Sequence, residues 1–420
     1  MNNELLAALQ RLQSTPFHMP GHKRNTALLG GALPYALDIT EIEDFDNLQH
    51  PAGLLQDIAG RAAALWGSDA AYCSVNGSTG AILAGIRALT CPGDTVLVAR
   101  NCHMSVFHAL ELCRLRPVFL EPDPVPGWEG ELHGAIAQST LDKALQAHRN
   151  AALCVLTSPT YEGVVSRVHC PVPLLVDAAH GAHLPLPQAD LVVMSLHKTL
   201  PALTQTALLH VCGPRVNRSL LEHNLRVFQT SSPSYVLLCS VAECIGLLEQ
   251  HKIAWFSQWQ ARLDAFFAHA ARWRRLRLLA PDDRSKLCVD AGNGAHAAAF
   301  LRARGIEPEY ARGRCVLLLT SPCDTEAMMA CLAEALDALD AQPAPPPAAP
   351  AAILPAAPCP VTPAFALLPP AACLGRVAAE YLWQYPPGIP LCIPGQVITQ
   401  VIAGRDQIAV QTAVEEFLNF

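Results

Sequence analysis

The chain has 420 residues, of which 51% are hydrophobic and 15% are charged, and its formal net charge is −7. This length is large for one hydrophobic core, so two or three domains are expected, and the composition argues against a disordered chain. The negative charge argues against polyanionic partners such as nucleic acids and is compatible with a cationic substrate.

The cysteines and the first residues bear on the cellular compartment. Sixteen cysteines are scattered without a C-x-x-C pair, and the opening "MNNELLAALQRLQ" has no basic region followed by an apolar region. These features indicate reduced thiols in a cytoplasm and no signal peptide. Since no uninterrupted apolar run reaches about twenty residues, no membrane span is predicted.

The predicted elements begin with a short docking helix over residues 3–13, where leucines have helical spacing. Between residues 70 and 211, short apolar runs alternate with turn residues and helical stretches. Buried strands that alternate with helices predict an α/β domain with a mostly parallel sheet flanked by helices. The runs are "AAYCSV", "TVLVAR", "PVFLEP", "ALCVLTS", "PLLVDAA", "LVVMSL" and "ALLHV".

A smaller α+β region is predicted after the parallel sheet. A long helical stretch covers residues 234–275, and "KLCVDA" and "CVLLLT" follow as candidate strands. Residues 342–372 are rich in proline and alanine and indicate a semi-rigid linker. The predicted organisation is an N-terminal helix (1–15), a large domain (16–250), a small α+β domain (251–341), the linker (342–372) and a C-terminal segment (373–420).

Chemically active residues follow several of the predicted strands, and parallel α/β sheets bind ligands at the carboxyl ends of strands. The window "SVNGSTGA" places Gly77, Ser78 and Thr79 at a strand-to-helix turn. Free backbone N–H groups and two hydroxyls suit a phosphate there, although an ordinary helix N-cap explains the window better when it is taken by itself. His103 follows another strand, in "VARNCHMS".

Two charged residues stand beside apolar runs, where an unpaired charge is costly to bury. Asp177 closes a strand in "PLLVDAAHGAH", and Lys198 stands alone in "LVVMSLHKTLPALTQ". A lysine that reaches the surface would explain the second window as well as a reactive amine does. His180 and His183 could be metal ligands, but no nearby cysteine or carboxylate completes a set, so no metal is predicted.

One cofactor accounts for the phosphate turn, the buried acid and the isolated lysine together. Pyridoxal phosphate needs a lysine amine for its Schiff base and a carboxylate that keeps its pyridine nitrogen protonated. It also needs a phosphate cup at a helix start, and commonly a flat side chain over its ring. These residue types occur along the chain in that order, so the sequence predicts pyridoxal 5'-phosphate as cofactor.

These residues lie in windows that resemble the prokaryotic ornithine/lysine/arginine decarboxylases, which are fold-type I pyridoxal-phosphate enzymes. The resemblance implies that Lys198 is the Schiff-base lysine, that Asp177 pairs with the pyridine nitrogen and that His103 stacks on the ring. The windows lie in order over residues 16–400: "PFHMPGHK", "DITE…DNLQHPAG", "VNGSTGAILA", "RNCHMSVFHAL", "TSPTYEGV", "LLVDAAHGAHLP", "SLHKTLPALTQ", "QTSSPSY" and "YPPGIPLCIPGQVIT".

The resemblance also implies the remaining cofactor contacts and the assembly. In relatives, Thr230 of "QTSSPSY" reaches the phosphate of a neighbouring subunit, which implies a homodimer or a multiple of dimers. The chain resembles the short form of the family, without the N-terminal wing domain. The other residues implied to bind the cofactor are Gly77, Ser78, Thr79, His180, Ser195 and His197.

Four positions depart from the family pattern. Relatives have Glu where this chain has Ala178, Lys where it has Met104, Glu where it has Gln396, and often Asp where it has Asn47. Three of these changes remove a carboxylate from windows expected near the active site. They could tune substrate choice, or they could mark an enzyme that has drifted from basic amino acids.

The leading hypothesis is decarboxylation of a basic amino acid, arginine or lysine first and ornithine possible, to an amine and CO₂ in polyamine biosynthesis. An aminotransferase or other enzyme with the same cofactor, or a cofactor-binding protein without turnover, stays an alternative. A cationic side chain needs an acid in its pocket. Glu41 and Asp46 are the first candidates, and Glu43, Asp44 and Glu162 are others, although most would be solvated loop charges.

Overall fold

The computed structural model describes residues 3–12, 19–20, 22–29, 32–129, 132–346, 365–384, 388–402 and 405–411. The predicted first helix is α1 (Glu4–Arg11), whose Leu5 and Leu9 are buried in the core. A short helix α2 (Thr26–Leu29) follows. Most of the predicted linker, residues 347–364, and the last residues, 412–420, lie outside the described part of the chain.

Each of the seven predicted apolar runs forms a strand of one sheet, with the order β1-β7-β6-β5-β4-β2-β3. Strands β2 to β6 pair in parallel, and β7 is antiparallel to both β1 and β6. The predicted α/β class with a mostly parallel sheet is therefore confirmed. The strands are β1 (Ala70–Ser74), β2 (Thr95–Ala99), β3 (Arg116–Leu120), β4 (Ala151–Thr157), β5 (Leu174–Asp177), β6 (Leu191–Ser195) and β7 (Ala207–Val211).

Helices cover this sheet, which explains why its central strands are apolar throughout rather than alternating. Every residue of β5, β6 and β7 is buried. Helix α4 packs closely on the sheet: an added Cβ at Gly85 would lie 2.8 Å from Leu175 Cδ1. The helices are α3 (Leu54–Trp66), α4 (Gly77–Leu89), α5 (Met104–Leu112), α6 (Gln138–Ala147), α7 (Leu196–Thr199) and α8 (Arg218–Phe228).

A 36-residue helix, α9 (Tyr235–Ala270), connects the main core to a second one. Its first half buries Leu238 and Ile245 in the main core, and its second half buries Trp259 and Phe266 in the second core. The boundary predicted after residue 250 falls inside this helix, and the domain division stays a prediction. The second sheet has the order β10-β11-β9-β8. Its elements are β8 (Arg277–Leu278), β9 (Lys286–Asp290), α10 (Gly294–Arg302), β10 (Tyr310–Arg312), β11 (Cys315–Leu319) and α11 (Glu326–Asp340).

The C-terminal segment forms two small antiparallel pairs and reaches back to the main sheet. The amide N–H of Met104 donates to the carbonyl of Gly388 at 2.8 Å, and Arg100 Nη1 donates to the Pro390 carbonyl at 2.9 Å. Across the described ranges, every helix is too short or too polar to cross a membrane. The strands are β12 (Phe365–Leu368), β13 (Leu382–Gln384), β14 (Ile389–Cys392) and β15 (Ile408–Gln411).

Candidate active site

A cavity of about 460 Å³ lies at the carboxyl ends of the parallel strands. The β1–α4 and β2–α5 turns, the ends of β4 and β5 and the β6–α7 junction all line it, because parallel strands end at the same edge of the sheet. Nine of the ten residues predicted to bind the cofactor line this cavity: Gly77, Ser78, Thr79, His103, Asp177, His180, Ser195, His197 and Lys198.

Lys198 lies in the one-turn helix α7, directly after the buried strand β6. Its Nζ is 2.9 Å from His180 Nε2 and 5.9 Å from the centre of the Tyr161 ring. Burial lowers the pKa of Lys198, and the nearby Asp177 carboxylate opposes this effect only in part. A larger fraction of the amine is therefore neutral near pH 7, which is the nucleophilic form.

Asp177 is the last residue of β5 and is 2% exposed. Its Oδ1 accepts the amide N–H of Ala179 at 3.1 Å. Burial raises the pKa of Asp177, and the Lys198 charge and the Ala179 hydrogen bond counteract the rise. A carboxylate in this setting gains most from a cationic hydrogen-bond donor that enters the cavity.

The cavity also presents small hydrogen-bonding groups at the start of helix α4. Gly77 opens the helix with φ +66°, a left-handed conformation that favours glycine. The hydroxyls of Ser78 and Ser195 are in hydrogen-bond contact at 2.6 Å, and His197 Nδ1 lies 3.0 Å from the Thr206 carbonyl oxygen. This combination of a helix N-terminus and hydroxyl groups is suited to a phosphate.

His103 is the N-cap residue of α5. Its Nδ1 accepts the amide N–H of Ser105 at 3.2 Å, and an added Cβ at Gly388 of the C-terminal segment would lie 3.1 Å from its other ring nitrogen. Burial and the Lys198 charge lower the pKa of His103 to about 4, so the ring is neutral near pH 7. A neutral flat ring at the cavity wall can cover an aromatic ligand.

Thr230 is the predicted cofactor residue that lies elsewhere. It is exposed and lines a separate cavity of about 560 Å³ between α3, β1 and α8. Its backbone N–H is 3.4 Å from Asn76 Oδ1. Thr230 therefore does not line the Lys198 cavity of its own chain.

The predicted substrate acids lie in different environments. Glu162 is 2% exposed, lines the Lys198 cavity and accepts the Tyr310 hydroxyl at 2.7 Å. Asp46 instead accepts the amide N–H groups of Ala52, Gly53 and Leu55 at 2.8–2.9 Å, so that it caps α3. Neither Asp46 nor Glu41 lines the cavity, and Glu43 and Asp44 are exposed.

The four departures from the family pattern also separate in space. Met104 lines the Lys198 cavity, whereas Ala178 lines a different cavity of about 690 Å³. Gln396 accepts the Ile393 amide N–H at 3.0 Å, and Asn47 accepts the Gln49 amide N–H in a turn. Within the described chain, Met104 is therefore the one of these four that faces the site.

Some residues beside the site were not singled out by the sequence. Tyr161 packs on the His180 ring, with 4.1 Å between ring centres, and its hydroxyl donates to Glu309 of the second sheet. The window "TSPTYEGV" marked this loop, but nothing near Glu309 or Tyr310 did. Among the residues that the structure describes, no three His, Cys, Asp or Glu side chains are grouped as a metal site.

Comparisons with known proteins agree over nearly the whole chain. A family model described as Orn/Lys/Arg decarboxylase, major domain, matches residues 4–253. An arginine decarboxylase from Bacillus anthracis is 30% identical over 91% of this chain and 87% of its own, and the Bacillus subtilis protein YaaO is 32% identical over 95% and 92%. The solved constitutive lysine decarboxylase of E. coli has a TM-score of 0.77 at 18% identity, over 94% of this chain and 75% of that chain.

Proposed function

The chain belongs to the Orn/Lys/Arg decarboxylase family, as its motifs predicted, and we propose that it decarboxylates a basic amino acid with pyridoxal phosphate as cofactor. Arginine or lysine is the first expected substrate and ornithine the next, with an amine and CO₂ as products. The observation that carries the proposal is that Lys198, Asp177 and the phosphate-type donors of α4 line one cavity.

Pyridoxal phosphate fits the donor set of this cavity. Lys198 Nζ would hold its aldehyde carbon, Asp177 its pyridine nitrogen, and Ser78 and Ser195 its phosphate at the start of α4, with His103 over the ring face. When bound, this cofactor takes up the electron pair that departing CO₂ leaves on the substrate. A solved structure described as SPT with PLP shares the fold, at TM-score 0.55 and 16% identity.

The side chains of this chain supply binding and proton transfer. Burial lowers the pKa of Lys198, which favours the neutral amine, and His180 Nε2, 2.9 Å away, is placed to exchange a proton with its Nζ. With the cofactor bound, Asp177 would stabilise a proton on its ring nitrogen, because a buried carboxylate strongly favours a charged donor. After CO₂ leaves, Lys198 and His180 are the groups placed to return a proton to the substrate carbon.

Glu162 is the acid we assign to the cationic end of the substrate. It is buried, lines the cavity and keeps one oxygen bonded to Tyr310, so its position is fixed. A guanidinium or ammonium group is costly to bury without such a partner. Asp46 accepts hydrogen bonds from backbone N–H groups, which argues against the same role for it. Glu41 does not line this cavity, so it could contact the substrate only from outside it.

The active assembly is proposed to be a homodimer or a multiple of dimers, in the cytoplasm, with a role in polyamine biosynthesis. Thr230 supports this assembly, since it is exposed, does not line the Lys198 cavity of its own chain and matches the position that reaches a neighbouring subunit in relatives. No nucleic acid or membrane partner is proposed. A light-scattering mass of a single chain in an active, cofactor-loaded sample would contradict the dimer.

The test is incubation of purified, cofactor-loaded protein with arginine, lysine, ornithine and norleucine, with CO₂ and amine measured. We expect turnover of at least one basic amino acid and little of norleucine, because norleucine lacks a cation. Equal turnover of norleucine would contradict the basic substrate. Formation of an oxo acid without CO₂ would identify an aminotransferase instead, and binding without any product would identify a protein without turnover.

A further inference from the structure

Lys286 is a second buried lysine close to the site, and it is completely enclosed, with 0% exposure. It opens strand β9 of the second sheet. Its Nζ lies 3.2 Å from Asp283 Oδ2, 3.0 Å from the Ser285 hydroxyl and 3.2 Å from the backbone carbonyl oxygen of His180. The ammonium therefore donates hydrogen bonds to the Ser285 hydroxyl and the His180 carbonyl, and it forms an ion pair with Asp283.

Asp283 contacts the turn of residues 180–183, to which Lys286 is also bonded, through its other carboxylate oxygen. Its Oδ1 lies 3.0 Å from His183 Nε2, and both side chains are almost fully buried. The ion pair of Asp283 and Lys286 thus contacts both ends of residues 180–183, which follow Asp177. The turn is also closely packed between these ends: an added Cβ at Gly181 would lie 2.7 Å from Pro159 Cδ.

Stability alone does not account for this ion pair. Desolvation of two buried charges costs about as much as their attraction returns, so apolar residues of similar volume would pack at least as stably. Unlike apolar side chains, the charged groups form hydrogen bonds with a defined geometry, and each such bond fixes the position of one donor relative to one acceptor. Here the fixed acceptor is the carbonyl of His180, whose ring nitrogen Nε2 lies 2.9 Å from Lys198 Nζ.

We infer that the Asp283–Lys286 ion pair is a clamp that positions His180 and, through it, the amine of Lys198. Both residues are positioning residues, because neither lines the cavity of Lys198. The inference deepens the proposed function and rests on it for the role of Lys198. It also gives a role to His183, which anchors the far end of the turn and does not line the cavity.

The experiment compares wild type with Lys286→Met, Lys286→Met/Asp283→Asn and Arg215→Gln. Arg215 is the control because it pairs with another buried aspartate, Asp190, which bonds the first residue of β5 rather than the last. The measurements are the rate at which pyridoxal phosphate attaches to the apoprotein, the circular dichroism of the bound cofactor, amide exchange over residues 178–184, and the free energy of unfolding.

We expect Lys286→Met to slow attachment by at least about tenfold, because a misplaced reacting group loses its orientation. The cofactor dichroism should change and residues 178–184 should exchange faster. The double variant should regain stability, since no buried charge is left unpaired, but it should keep the slow attachment, the altered dichroism and the faster exchange. Arg215→Gln should lose stability with unchanged attachment and dichroism.

The clamp would be overturned if the double variant regained wild-type attachment and exchange, because only charge burial would then matter. It would also be overturned if Arg215→Gln slowed attachment as much as Lys286→Met did. Failure of the wild type to fix pyridoxal phosphate on Lys198 after borohydride reduction would contradict the proposed function instead. In that case amide exchange still tests the clamp, since faster exchange supports it and unchanged exchange overturns it.

Discussion

Two aspartate–lysine couples flank the turn of residues 180–183, and they are built in opposite ways. In the main sheet, Asp177 and Lys198 both face a cavity of about 460 Å³, and Lys198 Nζ contacts the His180 ring. In the second sheet, Asp283 and Lys286 close directly on each other, with 3.2 Å between Oδ2 and Nζ. We call Asp177 and Lys198, which line the cavity, the open couple. Asp283 and Lys286, which contact each other directly, are the closed couple.

The difference separates the pair of charges that we propose to be reactive from a structural pair. Lys286 and Asp283 are ion-paired and almost fully enclosed, so a ligand cannot reach them, whereas Asp177 and Lys198 both line a cavity that a ligand can enter. Burial lowers the pKa of both lysines, so pKa direction does not distinguish them. The arrangement of acceptors around each amine does.

The largest expected effect is on activity when the open couple loses its amine. Lys198→Ala should lower kcat/KM by about 10⁴-fold or more, because no other group attaches the cofactor or returns the proton. Borohydride reduction should then leave no cofactor on the peptide that carried Lys198. Lys143→Ala, on the exposed face of α6, is the matched control and should behave as wild type. Fixation at another lysine would show that the assignment is wrong.

Loss of the acid of the open couple should affect chemistry more than stability. Asp177→Asn keeps the shape but removes the charge that holds a proton on the ring nitrogen, so kcat should fall by about a thousandfold. Thermal unfolding of the apoprotein should change little or shift upward, because a buried charge is removed. A variant with wild-type kcat would contradict the role of Asp177.

Loss of the acid of the closed couple should have the opposite signature. Asp283→Asn leaves Lys286 buried without its ionic partner, which should lower the free energy of unfolding by about 3 kcal/mol. Urea unfolding of the apoprotein measures this loss, and Lys286→Met/Asp283→Asn should recover part of it. A neutral effect of Asp283→Asn would show that the ion pair is not closed in solution.

A smaller effect is expected at the substrate end of the open cavity. Glu162→Gln should raise KM for the basic substrate by about tenfold with a smaller change in kcat, because it removes charge pairing from a group away from the reacting bond. Tyr310→Phe is the control: it removes the hydroxyl that holds Glu162 in position but keeps the Glu162 charge. An unchanged KM in Glu162→Gln would contradict the role of Glu162 and leave Glu41 as the candidate acid.

The smallest expected effect is at Asp46, which caps α3. Burial raises the pKa of Asp46, but hydrogen bonds from the amides of Ala52, Asn47, Gly53 and Leu55 outweigh this, so its pKa lies below the ordinary 3.8. The stabilisation is therefore present above pH 3.8 and is lost as the pH falls through the lowered value. Asp46→Asn should cost about 1 kcal/mol of unfolding free energy at pH 7, with kcat/KM unchanged.

The pH dependence of that cost separates a structural acid from a catalytic one. The difference in unfolding free energy between wild type and Asp46→Asn should shrink in acid, because the wild-type carboxylate becomes protonated. Urea unfolding at several pH values measures it. A large loss of kcat/KM at pH 7 without loss of stability would show that Asp46 acts on the substrate after all.

The sequence by itself determined the parallel sheet and the reactive pair of the open couple. Apolar runs bounded by turn residues predict strands from short windows, and all seven runs from residue 70 to 211 form strands. The strand ends then place Asp177 and Lys198 at one edge of the sheet, because parallel strands share their direction. Their motifs also predicted the family, which the comparisons confirm.

Only the tertiary structure decided which charges are structural and which face the cavity. Asp46 and Glu162 are both acids in family-like windows, yet one is saturated by the backbone N–H groups of α3 and the other lines the site. The contact of Lys286 with the His180 carbonyl joins residues 106 positions apart, and "DDRSK" alone resembles a solvated turn. The burial and hydrogen bonding of a charged side chain depend on such distant contacts, which no local window of sequence contains.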